Sequence, residues 1–257
     1  MARRYVVKLS GMNPEDGCKV HVLFFGIDES QFAHIQNIRG NIYDLRDFIK
    51  SEDLAYSLAH ATYSINGKLS VDHVEKLILL FDVFEGINGG RNYLSNQNFI
   101  EMMKALTPAH IEKLYKKHGI EPISDIPWIK AFSGGSDDHS GQFIGKTYTS
   151  TEAVNTEEVL NNIRRKRISP EGRHNDYKSL AFAVYKIAYD FSKTKGSEAS
   201  NSLFQKINEN LFESRSLKLR DRLILKRAKS HTKKKCVWKF PCSVSCDIFH
   251  MNENHSV

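Results

Sequence analysis

The sequence predicts an α/β protein, and two observations carry that prediction. Short apolar runs alternate with stretches whose apolar residues recur at helical spacing, and the segments between them are rich in Gly, Asn, Pro and Asp. This alternation runs to about residue 195 and then stops, so a domain with a parallel sheet or barrel (1–195) precedes a basic helical extension (196–232) and a tail (233–257).

The elements follow in chain order. Arg4 to Leu9 and Lys19 to Phe25 read as strands, joined by a loop that holds Gly11, Asn13, Pro14, Asp16 and Gly17. Asp28-Glu29-Ser30 caps a helix marked by Phe32, Ile35 and Ile38, and Gly40 separates it from a second marked by Ile42, Leu45 and Ile49. Leu54 to Ala59 is a strand that ends on His60, and Ser70 opens a helix that reaches Leu80. Phe81 to Phe84 is the next strand, with Glu85 to Gly90 as its loop and a helix to Leu106 after it. Thr107 caps the following helix, Pro108 takes its first position and Gly119 closes it. Trp128 to Ser133 forms a strand that leads into Gly-Gly-Ser-Asp-Asp-His, and helices are expected from Thr156, over Tyr177 to Phe191 and over Ser202 to Phe212.

The 257 residues, 40% hydrophobic and 26% charged, suffice for a substantial core. No run approaches the about 18 consecutive apolar residues of a membrane span, and the first residues hold too short an apolar stretch for a secretory signal. The expected location is therefore cytoplasmic. The net charge of +7 gathers late, in Arg164 to Arg167, Lys218 to Lys229 and Lys233 to Lys235. Without an aromatic-basic stacking pattern these runs read as solvated faces and not as a nucleic-acid surface. Cys236, Cys242, Cys246 and His250 lack the paired Cys-x2-Cys knuckles of common zinc modules, which leaves 233–257 an unstructured tail.

Chemistry concentrates in the loop Gly134-Gly135-Ser136-Asp137-Asp138-His139. A loop at the C-terminal end of a strand is where parallel α/β folds collect ligand-binding side chains. In an extended segment Asp137 and His139 would project to one side, an oxygen ligand beside an imidazole, which suits zinc, manganese or iron. Asp138 would point away and orient a ligating imidazole from behind.

The longer string from Gly134 to Gly141, with Ile144-Gly145-Lys146-Thr147-Tyr148-Thr149 close behind, resembles the last metal motif of the PHP (polymerase and histidinol phosphatase) family. It resembles in particular the PHP domains that accompany bacterial glycosyltransferases. The resemblance spans about residues 5 to 195 and implies an incomplete, distorted TIM-like barrel. It also implies that His60, at a strand end where the family carries His-Pro and this chain His60-Ala61, and His21 join Asp137 and His139 as metal ligands. Glu85 and Asn88, in Glu85-Gly86-Ile87-Asn88-Gly89, are similar to a family segment beside the site; Asn88 is expected to shape the turn, and Arg91 to face a phosphate or solvent. Arg173 and His174 are further polar residues of the expected rim.

The family's opening His-x-His strand has no counterpart, and the stretch before His21 reads Val7-Lys8-Leu9 where the family expects a glutamate. The resemblance therefore implies a metal-dependent phosphoesterase-like hydrolase of phosphate esters in N-terminally truncated form. Such a form requires a complementing PHP segment, or else it is a non-catalytic remnant that partners a glycosyltransferase.

Overall fold

The computed structural model describes residues 4–10 and 16–194. The chain divides into two compact units, Met1–Ala188 and Tyr189–Val257, and the description below concerns the first. The expected helix over Ser202 to Phe212, the basic extension 196–232 and the Cys/His tail 233–257 lie outside the described residues.

Five strands form one sheet in the order β1 (Arg4–Ser10), β2 (Lys19–Phe25), β3 (Ala55–Ala59), β4 (Val83–Asn88), β5 (Ala131–Gly135). β3, β4 and β5 pair in parallel, whereas β2 pairs antiparallel with both β1 and β3. The protein is thus α/β with a mixed sheet. Among the described residues this sheet is open and forms no closed barrel. A parallel barrel needs every strand to run one way, and β2 runs against its neighbours on both sides. Alternation of apolar runs and helices says nothing about strand direction.

The helices form where the caps and periodicities predict them. Asp28 caps α1 (Glu29–Ile38) in a reciprocal capping box: its carboxylate accepts from the Gln31 N–H at 2.7 Å and its own N–H donates to Gln31 Oε1 at 3.1 Å. Asn41 caps α2 (Ile42–Ser51) and Ser70 caps α3 (Val71–Leu80). α4 (Tyr93–Lys104) packs on β4. Thr107 caps α5 (Pro108–His118), and Gly119 ends it in the left-handed conformation at φ +65°. α6 (Thr156–Arg164) packs on β3, and α7 spans Tyr177–Thr194.

The core lies between the sheet and these helices. Phe24, Leu58 and Phe84 from the strands meet Ile35, Ile42, Leu45, Leu77, Leu79, Leu80 and Met103 from the helices, all fully buried. At the N-terminal ends of β4 and β5 a buried ion pair pins the sheet. Lys130 Nζ donates to Asp82 Oδ1 at 2.8 Å and to the carbonyls of Ile78 and Phe81, while Lys166 Nζ lies 2.6 Å from Asp82 Oδ2.

Two strand boundaries differ from the sequence reading. β4 continues through Glu85 to Asn88, so these residues belong to the strand and not to a loop. β5 begins at Ala131 and runs to Gly135, past the expected end at Ser133. A ribbon of two four-residue strands, β6 (Thr147–Ser150) and β7 (Ser169–Gly172), was not expected. It lies against β5, where the Gly134 N–H donates to Thr149 Oγ1 at 3.0 Å. Strands this short carry too few residues to show alternation.

Candidate functional site

The topology collects the predicted residues at one rim. β3, β4 and β5 end there, delivering His60, Asn88 and Asp137 from their C-terminal ends. β2 begins there, since His21 pairs with Ala59 across the antiparallel register. The reversed direction of β2 is what brings a residue near its start into line with the ends of the parallel strands.

His21 Nδ1 and His60 Nε2 lie 3.1 Å apart. One nitrogen carries the hydrogen and the other the lone pair. Burial lowers the pKa of the His60 imidazole, against the attraction of Asp137 and with help from the nearby Arg91 charge. His60 also has a positive φ of 33°, as does Asp137 at 43°. Two of the four non-glycine residues with positive φ among the described residues therefore sit in this site. Backbone held in a sparsely populated region persists where the surroundings over-determine it, and such residues cluster at functional sites.

Beneath the histidines runs a continuous polar chain. Glu85 Oε2 accepts from the His60 backbone N–H at 3.1 Å and from Asn88 Nδ2 at 2.7 Å, and the same Nδ2 donates to Asp137 Oδ2 at 3.1 Å. Glu85 and Asn88 are 4% and 2% exposed. Residues three apart in a regular strand face opposite ways. Here a β-bulge shifts the register between Glu85 and Ile87, so both side chains turn toward one rim. Gly86 permits the bulge, because a Cβ at that position would lie 2.8 Å from Cβ of Phe132. Asn88 also shapes the following turn as expected, its Oδ1 accepting from the Gly90 N–H at 2.8 Å.

The Asp137 loop differs from the sequence reading. The left-handed backbone at Asp137 breaks the extended segment that would have aligned it with His139. His139 stands 82% exposed on the open side, its Nε2 3.6 Å from Asp137 Oδ1. Asp138 lines the same cavity, and among the described residues it makes no hydrogen bond to an imidazole. Its carboxylate closes the loop on itself, accepting from the Ser140 N–H, the Ser140 hydroxyl and the Phe143 N–H at 2.6–2.8 Å. Burial opposes its ionisation, and these hydrogen bonds still hold its pKa below the ordinary value. The competing Asx-turn chemistry of Asp won at this position.

The chain shows no significant match to any family model, curated protein or solved structure.

His21, His60, Arg91, Asp137, Asp138 and His139 all line one cavity of about 370 Å³. Arg91 sits over the Tyr63 ring, its guanidinium carbon 3.4 Å from the ring centre. Tyr63 had no sequence signal. Nor did Asn96, whose Nδ2 donates to His174 Nδ1 at 2.9 Å and which holds the Asn88 backbone on both sides. Of the expected rim residues, His174 is thus engaged with Asn96, and Arg173 stacks over Phe143. The far wall of the cavity is α7, through Ser179, Leu180, Ala183, Val184 and Ile187.

Among the described residues, three metal-capable ligand atoms come within 4.8 Å of one another at Asp72, Glu75 and His118 alone. That group lies outside the cavity, and Lys117 already ion-pairs with both of its carboxylates. The four predicted ligands share a cavity without forming so tight a group. As to the membrane, no helix among the described residues is long and apolar enough to cross one.

Proposed function

We propose that this cavity is a divalent-metal site of PHP type and that the protein is a metal-dependent phosphoesterase-like hydrolase acting in the cytoplasm. The His21–His60 pair carries the reading. Two nitrogens bound to one zinc at about 2.0–2.1 Å lie about 3.3 Å apart in a tetrahedron, so two imidazoles facing each other at 3.1 Å suit one ion. Burial lowers the pKa of the His60 imidazole, which favours the neutral form that ligates.

His21 and His60 would hold the zinc, manganese or iron, with Asp137 and His139 as the remaining protein donors. Bound there, the metal would supply an activated water and charge neutralisation for phosphate-ester hydrolysis. Glu85 and Asn88 fix the His60 backbone and the Asp137 carboxylate relative to one another. Arg91 brings a positive charge to the same cavity.

A second reading is favoured because, among the described residues, no third ligand atom is tightly grouped with the pair. It makes the chain a non-catalytic metal-binding partner of a glycosyltransferase, or a part completed by another PHP segment. Elemental analysis of purified protein, paired with a phosphatase assay in added manganese, separates these. Bound metal that is lost in both His21→Ala and His60→Ala, together with hydrolysis, is the expected result. Metal without hydrolysis supports the second reading, and neither metal nor hydrolysis overturns both.

A further inference from the structure

The cavity has two unlike sides. Its floor carries the imidazoles of His21 and His60 and the guanidinium of Arg91; its far wall is the apolar face of α7, with Leu180, Ala183, Val184 and Ile187, extended by Ile65 and Phe143. Leu180 and Val184 are 53% and 57% exposed, so this wall is open surface that no other described residue covers.

The floor has one positive charge left unspent. Among the described residues the Arg91 guanidinium makes no ion pair, and its Nε is enclosed without a hydrogen-bond partner. Its backbone is fixed at both ends: the N–H donates to the Asn88 carbonyl at 3.0 Å, and its own carbonyl accepts from the Asn175 N–H at 2.7 Å. The guanidinium sits over the Tyr63 ring. The anions nearby are already committed. Asp138 is tied into its own loop, and Asp137 is held by Asn88 and faces His139.

A planar guanidinium fixed at its base and lacking a counter-charge matches an oxyanion in geometry and charge. We infer that the cavity binds phosphate monoesters whose organic group is apolar, with the phosphate on Arg91 and the organic group against α7. A volume of about 370 Å³ accommodates both parts. This inference rests on the cavity being a phosphate-ester site, but it requires neither a bound metal nor turnover.

Calorimetric titration of the full chain, as purified and again with a chelator, tests it with inorganic phosphate, glycerol phosphate and hexyl phosphate. Hexyl phosphate is expected to bind about tenfold or more tightly than glycerol phosphate, since only its tail gains from an apolar wall. Arg91→Gln should weaken both esters. Leu180→Asn with Val184→Asn should remove the preference for hexyl phosphate, and the exposure of both positions spares the core. Equal binding of the two esters, or a hexyl phosphate affinity indifferent to these substitutions, overturns the inference. Because metal content and phosphate release are measured separately, an inactive protein that retains the preference refutes hydrolysis and leaves this inference standing.

Discussion

At the scale of single residues, Asn88 holds the site together. One amide satisfies a buried glutamate, the Asp137 carboxylate and the Gly90 N–H at once. Asn88→Ala removes all three contacts and leaves Glu85 with one donor fewer in a buried setting. The expected cost is about 1–3 kcal/mol, read as a lower urea midpoint. Manganese affinity should fall about 10–100-fold, the usual consequence of losing a group that supports metal ligands. A variant with full metal affinity would show that the Glu85–Asn88–Asp137 chain serves stability alone. The sequence pointed to Asn88 as a turn former, and it is one. The bridging role was invisible because it depends on Asp137, 49 positions away. Asp138 teaches the converse: its own neighbours Ser140 and Phe143 compete successfully for its carboxylate.

At the scale of elements, the bulge in β4 decides whether Glu85 and Asn88 act together. Gly86→Ala places a methyl against Phe132, and overpacking of this kind costs about 1–3 kcal/mol. Because the clash sits at the bulge, metal affinity should drop along with stability. Thr107→Ala is the matching control. It removes the cap of α5, away from the cavity, and should cost about 1 kcal/mol with no change in metal binding. Equal effects of the two on metal affinity would contradict a local role for the bulge. The caps at Asp28 and Thr107 and the stop at Gly119 were all legible, because each needs only three or four adjacent residues. The ends of β4 and β5 were misplaced because the glycines at 86, 134 and 135 read as loop. In the fold Gly86 and Gly134 serve close packing inside strands.

At the scale of the whole molecule, the buried Asp82–Lys130 pair ties the N-terminal ends of β4 and β5 together, opposite the rim that carries the site. Burial pushes the Lys130 ammonium down to about 8, against the pull of Asp82. For Asp82, burial opposes ionisation, but Lys130, Lys166 and Ser124 outweigh it and hold the carboxyl below its ordinary value. A carboxyl with a depressed native pKa contributes stability that is fully present above the unfolded value of about 3.9 and is lost as pH falls through the native one. Asp82→Asn leaves two lysines facing a neutral amide and should cost about 3–5 kcal/mol at neutral pH. Thermal melts from pH 7 down to pH 2 check both statements: the variant should start lower and lose less on acidification than the parent. Parallel curves would mean that Asp82 titrates alike in the folded and unfolded chain.

The amino-acid sequence by itself determined the α/β class, the placement of the helices through their caps and periodicity, and the position of the Gly134–His139 loop at a strand end. These depend on interactions within a few residues along the chain. Tertiary structure alone decided that β2 runs antiparallel, that the described sheet is open, and that His21 therefore meets His60. It also decided that a bulge aligns Glu85 with Asn88, and that α7 faces the cavity with an apolar wall. Strand direction and register are settled by which distant surfaces bury each other, and local sequence carries no record of that choice.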